Sequence, residues 1–287
     1  MKSGIERVRT AGTEGVAGAR GNSTGFRTQF GGALQILQYN GPFYAKTLLG
    51  CAVAAVAAAK LPLPQPVKAL VRLGIGGACY FSVASLVASW WVYDHSHLTR
   101  WRWIAELLPT KPKRWANIHA GLDETTLALR ALFPDTESVV LDIYDPREMT
   151  EPSIKRAREI SPAPVVAITA DVKKLPVEDG ALNALFLIFA AHEVRDKDLR
   201  RTFFRELHRV LAPQGTLLLV EHVRDVANFA AFGPGFMHFL PRSEWQNLGN
   251  LSGLQTRSHF RITPFVNVWV FEKPGFTNMV GPDETSD

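Results

Sequence analysis

From residue 115 onward, short apolar runs alternate with amphipathic ones. The spacing predicts strands at 116–119, 138–142, 165–169, 184–189 and 216–220, with helices at 125–132, 152–160 and 197–211 between them. The last of these helices presents Leu199, Phe203, Leu207 and Val210 on one face, the period of a helix buried along a single stripe. A helix at 242–251 and strands at 256–262 and 266–272, joined by Thr263-Pro264-Phe265, close the pattern. Near-continuous apolar strands covered by helices imply a parallel sheet, and a final pair joined this tightly must be antiparallel. The expected fold is α/β, a doubly wound, mainly parallel seven-stranded sheet.

Upstream the pattern changes. Residues 73–93 (LGIGGACYFSVASLVASWWVY) carry no charge and reach the length of roughly 20 apolar residues that a membrane-spanning helix needs. The run ends in Trp90, Trp91 and Tyr93, amphipathic rings of the kind that collect at a bilayer interface. Its small residues would let a partner helix approach closely. That partner is the Ala-rich stretch 42–59, interrupted by Lys46 and stopped by Lys60 and the link LPLPQP. A transmembrane helical hairpin is therefore expected over 39–94, with a buried hairpin on the globular domain as the alternative. Residues 1–38 read as a basic, largely disordered arm carrying Lys2, Arg7, Arg9, Arg20 and Arg27. Residues 95–114, with Arg100, Trp101, Arg102 and Trp103, read as an interfacial connector or an ordinary amphipathic one. The α/β domain is expected over 115–273, and 274–287 as a disordered tail.

Composition sharpens this picture. The 287 residues are 46% hydrophobic and 21% charged, enough to bury a sizeable core, with a net charge of +5. The basic excess lies around the apolar segments and not in one dense stripe, which favours an anionic membrane surface over nucleic acid. Basic residues flanking the hairpin place the globular domain on the cytosolic side of the cytoplasmic membrane. Cys51 and Cys79 both fall in apolar segments and are expected to be free thiols. No signal peptide is expected, because the first apolar stretch begins too far along the chain.

Two phrases carry a resemblance. Ala170–Gly180 reads A-D-V-K-K-L-P-V-E-D-G, and Arg205–Glu221 reads R-E-L-H-R-V-L-A-P-Q-G-T-L-L-L-V-E. Together they resemble class I S-adenosylmethionine-dependent methyltransferases of the type 11-like group, in particular a membrane-anchored bacterial subgroup with a divergent glycine motif. The resemblance implies a Rossmann-like fold and S-adenosylmethionine as cofactor. It implies that Asp142, closing the second strand, holds the ribose hydroxyls. It also implies that Asp171 and Val172 recognise the adenine, and that Phe189 and Ala190 lie beside the sulfonium. In such sheets, loops at the carboxyl ends of the strands converge on one crevice. The first strand-to-helix turn departs from the family. Asn117 stands where an acid is usual, and His119, Gly121 and Asp123 occupy the glycine turn. These four are carried as cofactor-binding candidates.

A second set of polar residues is expected at the same sheet edge. Glu124 also follows the first strand, His192 and Glu193 follow the fourth, and Glu221 and His222 follow the fifth. His238 lies in an aromatic insertion over 228–241, expected to be a lid or acceptor pocket for a small hydrophobic, lipid-like substrate. One reading makes His192 the general base, with Glu193 or His222 orienting it and Glu221 and His238 nearby, since an imidazole titrates near about 6.5. Another has His119, Asp123, His192, Glu193, Glu221 and His222 bind a divalent metal such as iron, manganese or zinc. A third gives these residues structural roles in a non-catalytic scaffold.

Overall fold

Residues 30–275 are described by a computed structural model; the arm up to residue 29 and most of the expected tail lie outside the described residues. The chain opens with α1 (Gly31–Tyr39), α2 (Gly41–Lys60) and α3 (Gln65–Trp90). The Tyr44 hydroxyl, near the start of α2, meets Ser85 Oγ, near the end of α3, at 3.0 Å, so the two helices form an antiparallel hairpin. The second helix starts at Gln65, earlier than the charge-free run, and so includes Lys68 and Arg72. Pro66 falls in its first turn, where the missing N–H costs nothing. Both helices are long and apolar enough to cross a membrane. Their outer faces stay uncovered: Leu48 is 72% exposed and Leu73 is 73% exposed.

Two expectations about the flanks need correction. Residues 31–38, assigned to the arm, form α1. This helix is held by Asp94, whose carboxylate accepts hydrogen bonds from Gly32 N at 2.7 Å and Ala33 N at 2.9 Å. A distant carboxylate thus satisfies the orphan donors at the helix start. The connector is not a free interfacial helix either. After a π-turn at Trp91–His95 it contains a single 3-10 turn at Leu98–Arg100 and the five-residue α4 (Trp103–Leu107). Leu98 and Ile104 are fully buried in one cluster with Trp115 and Phe133, so its apolar residues serve the sheet.

The sheet comprises β1 (Arg114–His119), β2 (Glu137–Asp142), β3 (Ile168–Thr169), β4 (Leu182–Ile188), β5 (Leu211–His222), β6 (Gln255–Arg261) and β7 (Val266–Glu272). Their order is β3-β2-β1-β4-β5-β7-β6. The first five strands run parallel, and β7 enters antiparallel between β5 and β6. The expected doubly wound architecture is present, with local differences. β3 shrinks to two exposed residues behind Pro162 and Pro164, consistent with an edge strand. β5 starts five residues before the expected 216, because Leu211 pairs with Leu182 across a bulge.

Helices α5 (Thr126–Leu132), α6 (Pro152–Ile160), α7 (Lys197–Val210), α8 (Val226–Phe232) and α9 (Arg242–Leu251) complete the domain. The predicted stripe of α7 buries Phe203, Leu207 and Val210 in one large core with Trp245 and Leu248 of α9. Truncating a fully buried Phe such as Phe203 costs about 3–5 kcal/mol. This rigid base fixes where the carboxyl ends of β1, β2, β4 and β5 arrive.

Candidate active site

Register brings the expected residues to one edge. His119 and Asp142 are paired neighbours at the ends of β1 and β2. Ile188 of β4 pairs with Val220 of β5, so Phe189 and the following turn face Glu221 and His222. Phe189 itself has a φ of +52°, a conformation costly for a bulky side chain. Its ring stacks on the His222 ring, with centroids 5.2 Å apart.

At the glycine turn, Asn117 is buried and donates to Asp123 Oδ1 at 3.3 Å and Thr126 Oγ1 at 2.8 Å. Asp123 Oδ1 also accepts from the amides of Thr125 and Thr126, so it caps the start of α5. These two residues brace the turn. Gly121 has a φ of +91°, and a Cβ there would lie 2.8 Å from Arg158 Nη1. Arg158 therefore covers the turn. It reaches from α6 to donate to Asp142 Oδ2 at 2.7 Å and lies over the Tyr144 ring. Asp142 Oδ1 accepts from Tyr144 N at 3.0 Å. His119 is buried, with neither ring nitrogen hydrogen-bonded, and Asp142 Oδ1 is 3.7 Å from its Nδ1. Burial lowers its pKa against the pull of that carboxylate.

Asp171 and Val172 do not join this group. Asp171 is exposed and accepts from Lys173 N at 2.8 Å as a turn residue, while Val172 packs in the core. Ala190 is buried in the core and does not line either cavity described below.

The second polar set is more tightly joined. His192 Nδ1 meets Glu221 Oε2 at 2.7 Å, and His192 N donates to Glu221 Oε1 at 3.2 Å. Its Nε2 lies 3.1 Å from Glu193 Oε1. Burial opposes a charge on His192, but the two carboxylates outweigh burial and push its pKa up to about 10. His222 behaves in the opposite way. Burial, helped by the charge on His192, holds its pKa down at about 4. Its Nδ1 lies 3.0 Å from Phe265 O, which can only accept, so the proton sits on Nδ1. Nε2 then carries a lone pair, with no hydrogen-bond partner among the described residues. Phe239 stacks on the ring's other side at 4.8 Å.

Two cavities flank these residues. One of about 450 Å³ is lined by His119, Ala120, Glu124 and Phe189, and is roofed by Gln35, Ile36 and Tyr39 of α1. The other, of about 900 Å³, runs between the hairpin and the insertion, past Phe81, Ser85, Phe232 and Phe239. Phe189, His192 and Glu193 line both. The insertion thus forms a cavity wall and packs on α3, where Gly233 lets the backbone approach the Phe81 ring closely. The α1 roof and Arg158 have no distinguishing signal in the sequence. Gln35 is tied to the turn by a 2.7 Å bond from Nε2 to Glu124 Oε1.

The expected metal set is not brought together as a whole. Among the described residues, the grouping of three possible ligands is His192, Glu193 and His238. Asp123 caps α5, Glu221 lies behind His192, and His222 is held by Phe265 and Asn228.

Comparison with protein families matches residues 124–219 to the family described as "Methyltransferase domain". No curated protein matches the chain. Among solved structures, a SAM-dependent methyltransferase from Aquifex aeolicus is 14% identical over 61% of this chain and 92% of its own, with a TM-score of 0.47. The cyclase SpnF is 15% identical over 64% and 83%, with a TM-score of 0.48. The pyocyanin biosynthetic protein PhzM is 13% identical over 76% and 61%, with a TM-score of 0.45. The matched segment runs from the glycine turn into β5, so this part of the α/β domain is similar to a methyltransferase domain.

Proposed function

We propose that this protein is a membrane-anchored methyltransferase that moves a methyl group from S-adenosylmethionine to a hydrophobic, lipid-like acceptor. The observation that carries this reading is the meeting of two cavities at Phe189, His192 and Glu193. One opens on the glycine turn, where the fold family holds its donor. The other is mainly apolar and runs along the hairpin, where a bilayer-derived acceptor would enter.

The residues present fit the donor, with one movable obstacle. His119 offers two unpartnered buried ring nitrogens on the wall of the smaller cavity. Gly121 leaves a space that a side chain would fill, and Arg158 now fills it. The Arg158 side chain is 37% exposed and can swing out, which would free Asp142 for the ribose hydroxyls. His119, Glu124 and Gln35 would surround the amino-acid end. When bound, the donor supplies an electrophilic methyl carbon on a sulfonium.

The remaining tasks are positioning and proton removal. Phe189 lines both cavities and would align the acceptor against the methyl carbon. His222 is the better base on these pKa directions: it is unprotonated at neutral pH and has a lone pair on Nε2. His192 is held as a cation between two carboxylates and would instead fix local charge. The hairpin would anchor the domain to the membrane, which its exposed apolar faces support, and its flanking basic residues favour the cytosolic face.

The test uses donor with a deuterated methyl group and lipid extracts from bacterial membranes, read by mass spectrometry. A lipid-soluble product heavier by one labelled methyl is expected, lowered at least about 100-fold by His222→Gln, the scale of general-base catalysis. A folded, donor-binding protein that labels no lipid-soluble molecule would overturn the acceptor assignment.

A further inference from the structure

We propose that His192, Glu193 and His238 form a site for one divalent transition-metal ion on the wall of the larger cavity. Each offers a ligand atom within 4.8 Å of the others. They come from two separate segments, the turn after β4 and the aromatic insertion, so the sheet edge and the cavity wall must both be in place to assemble them. All three line the larger cavity.

Two further observations point to a ligand. Glu193 is nearly fully buried, yet its Oε2 has no hydrogen-bond partner. The Arg195 Nη2 beside it is 3.9 Å away, too far for a hydrogen bond. A buried carboxylate oxygen left without a hydrogen bond is costly, and a bound ion would satisfy it. Behind the site, Glu221 is completely buried and takes the Nδ1 side of His192 at 2.7 Å. This leaves Nε2 directed at Glu193, where a bound ion would take the place of the Nε2 proton. A carboxylate fixing the far nitrogen of a ligating imidazole is the usual support of a metal-bound histidine.

Arg195 is the competitor. Its guanidinium now contacts the His238 ring and lies 3.9 Å from Glu151 Oε1. It would have to turn outward on metal binding, and its side chain is 36% exposed, so it has room to do so. Glu151 Oε1, 3.6 Å from His238 Nδ1, would then be within reach of the same region. Two imidazoles and one carboxylate suit zinc, iron(II) or manganese, and three protein ligands leave a position open to the cavity. If the methyl-transfer reading holds, an ion there would acidify an acceptor hydroxyl bound against it.

The test omits the methyl donor, so its failure is separate from failure of the methyl-transfer reading. Full-length protein in detergent is stripped with a chelator and titrated with cobalt(II), followed by visible absorption. One equivalent should bind, with ligand-field bands of an imidazole and carboxylate set. His238→Ala and Glu193→Gln should each weaken binding at least ~10-fold, and Glu221→Gln about 10–100-fold. His238 is partly exposed, so its variant tests the site even if buried substitutions unfold the protein. Absence of stoichiometric cobalt, or binding unchanged by His238→Ala, overturns the proposal.

Discussion

His192 and His222 follow neighbouring strands and have opposite preferences for charge, and this contrast governs what each can do. The folded-state pKa of His222 is depressed to about 4, so the native protein resists the proton that the unfolded chain takes up near about 6.5. Stability from this group is therefore full above the unfolded value and falls as pH drops through the interval toward 4. Between pH 7 and pH 5 the loss is about 2 kcal/mol. Thermal unfolding in detergent should show that loss in the natural protein and a smaller one in His222→Gln; equal losses would contradict the burial of a neutral ring. Arg158 is the other decisive residue. Arg158→Ala frees Asp142 and uncovers Gly121, so the donor should bind several-fold tighter by calorimetry. Weaker binding would mean that Arg158 holds the donor instead of competing with it.

At the scale of elements, α1 and the polar edge show where sequence reasoning succeeds and where it stops. The strands of the sheet were legible because burial on both faces leaves near-continuous apolar runs, as in 184–188. The edge residues His192, Glu193, Glu221 and His222 followed from those strand ends, since parallel strands deliver their carboxyl termini to one side. The roof did not follow. Its nine residues continue a Gly-rich, basic stretch, and they are fixed by Asp94, more than sixty residues away in sequence. Arg158 was equally hidden, as one of several charges on α6 whose reach to Asp142 only tertiary structure reveals. Asp94→Ala removes the acceptor for two helix-start amides and should destabilise α1 by about 1 kcal/mol. Amide exchange at Gly32–Tyr39 should speed up accordingly, while exchange in β4 and β5 stays unchanged; unaltered exchange in α1 would show that the cap does not hold the roof.

For the whole molecule, the hairpin and the domain share one cavity. On the proposed membrane reading, a hairpin that also forms a cavity wall would pass an apolar molecule from lipid to the sheet edge without exposing it to water. Leu73, on the uncovered face of α3, tests the anchor. Leu73→Arg adds a cost of about 3 kcal/mol on insertion scales and should lower the fraction retained in membranes after an alkaline carbonate wash. Release of the unaltered protein by the same wash would remove the membrane reading and leave the hairpin as a packing element. The central claim is donor binding at an unusual glycine turn, and titration calorimetry of the purified full-length protein with S-adenosylmethionine addresses it most directly. One donor per chain is predicted, with affinity reduced by His119→Ala and by Asp142→Asn. No heat of binding to folded protein, also with Arg158→Ala, would contradict the account.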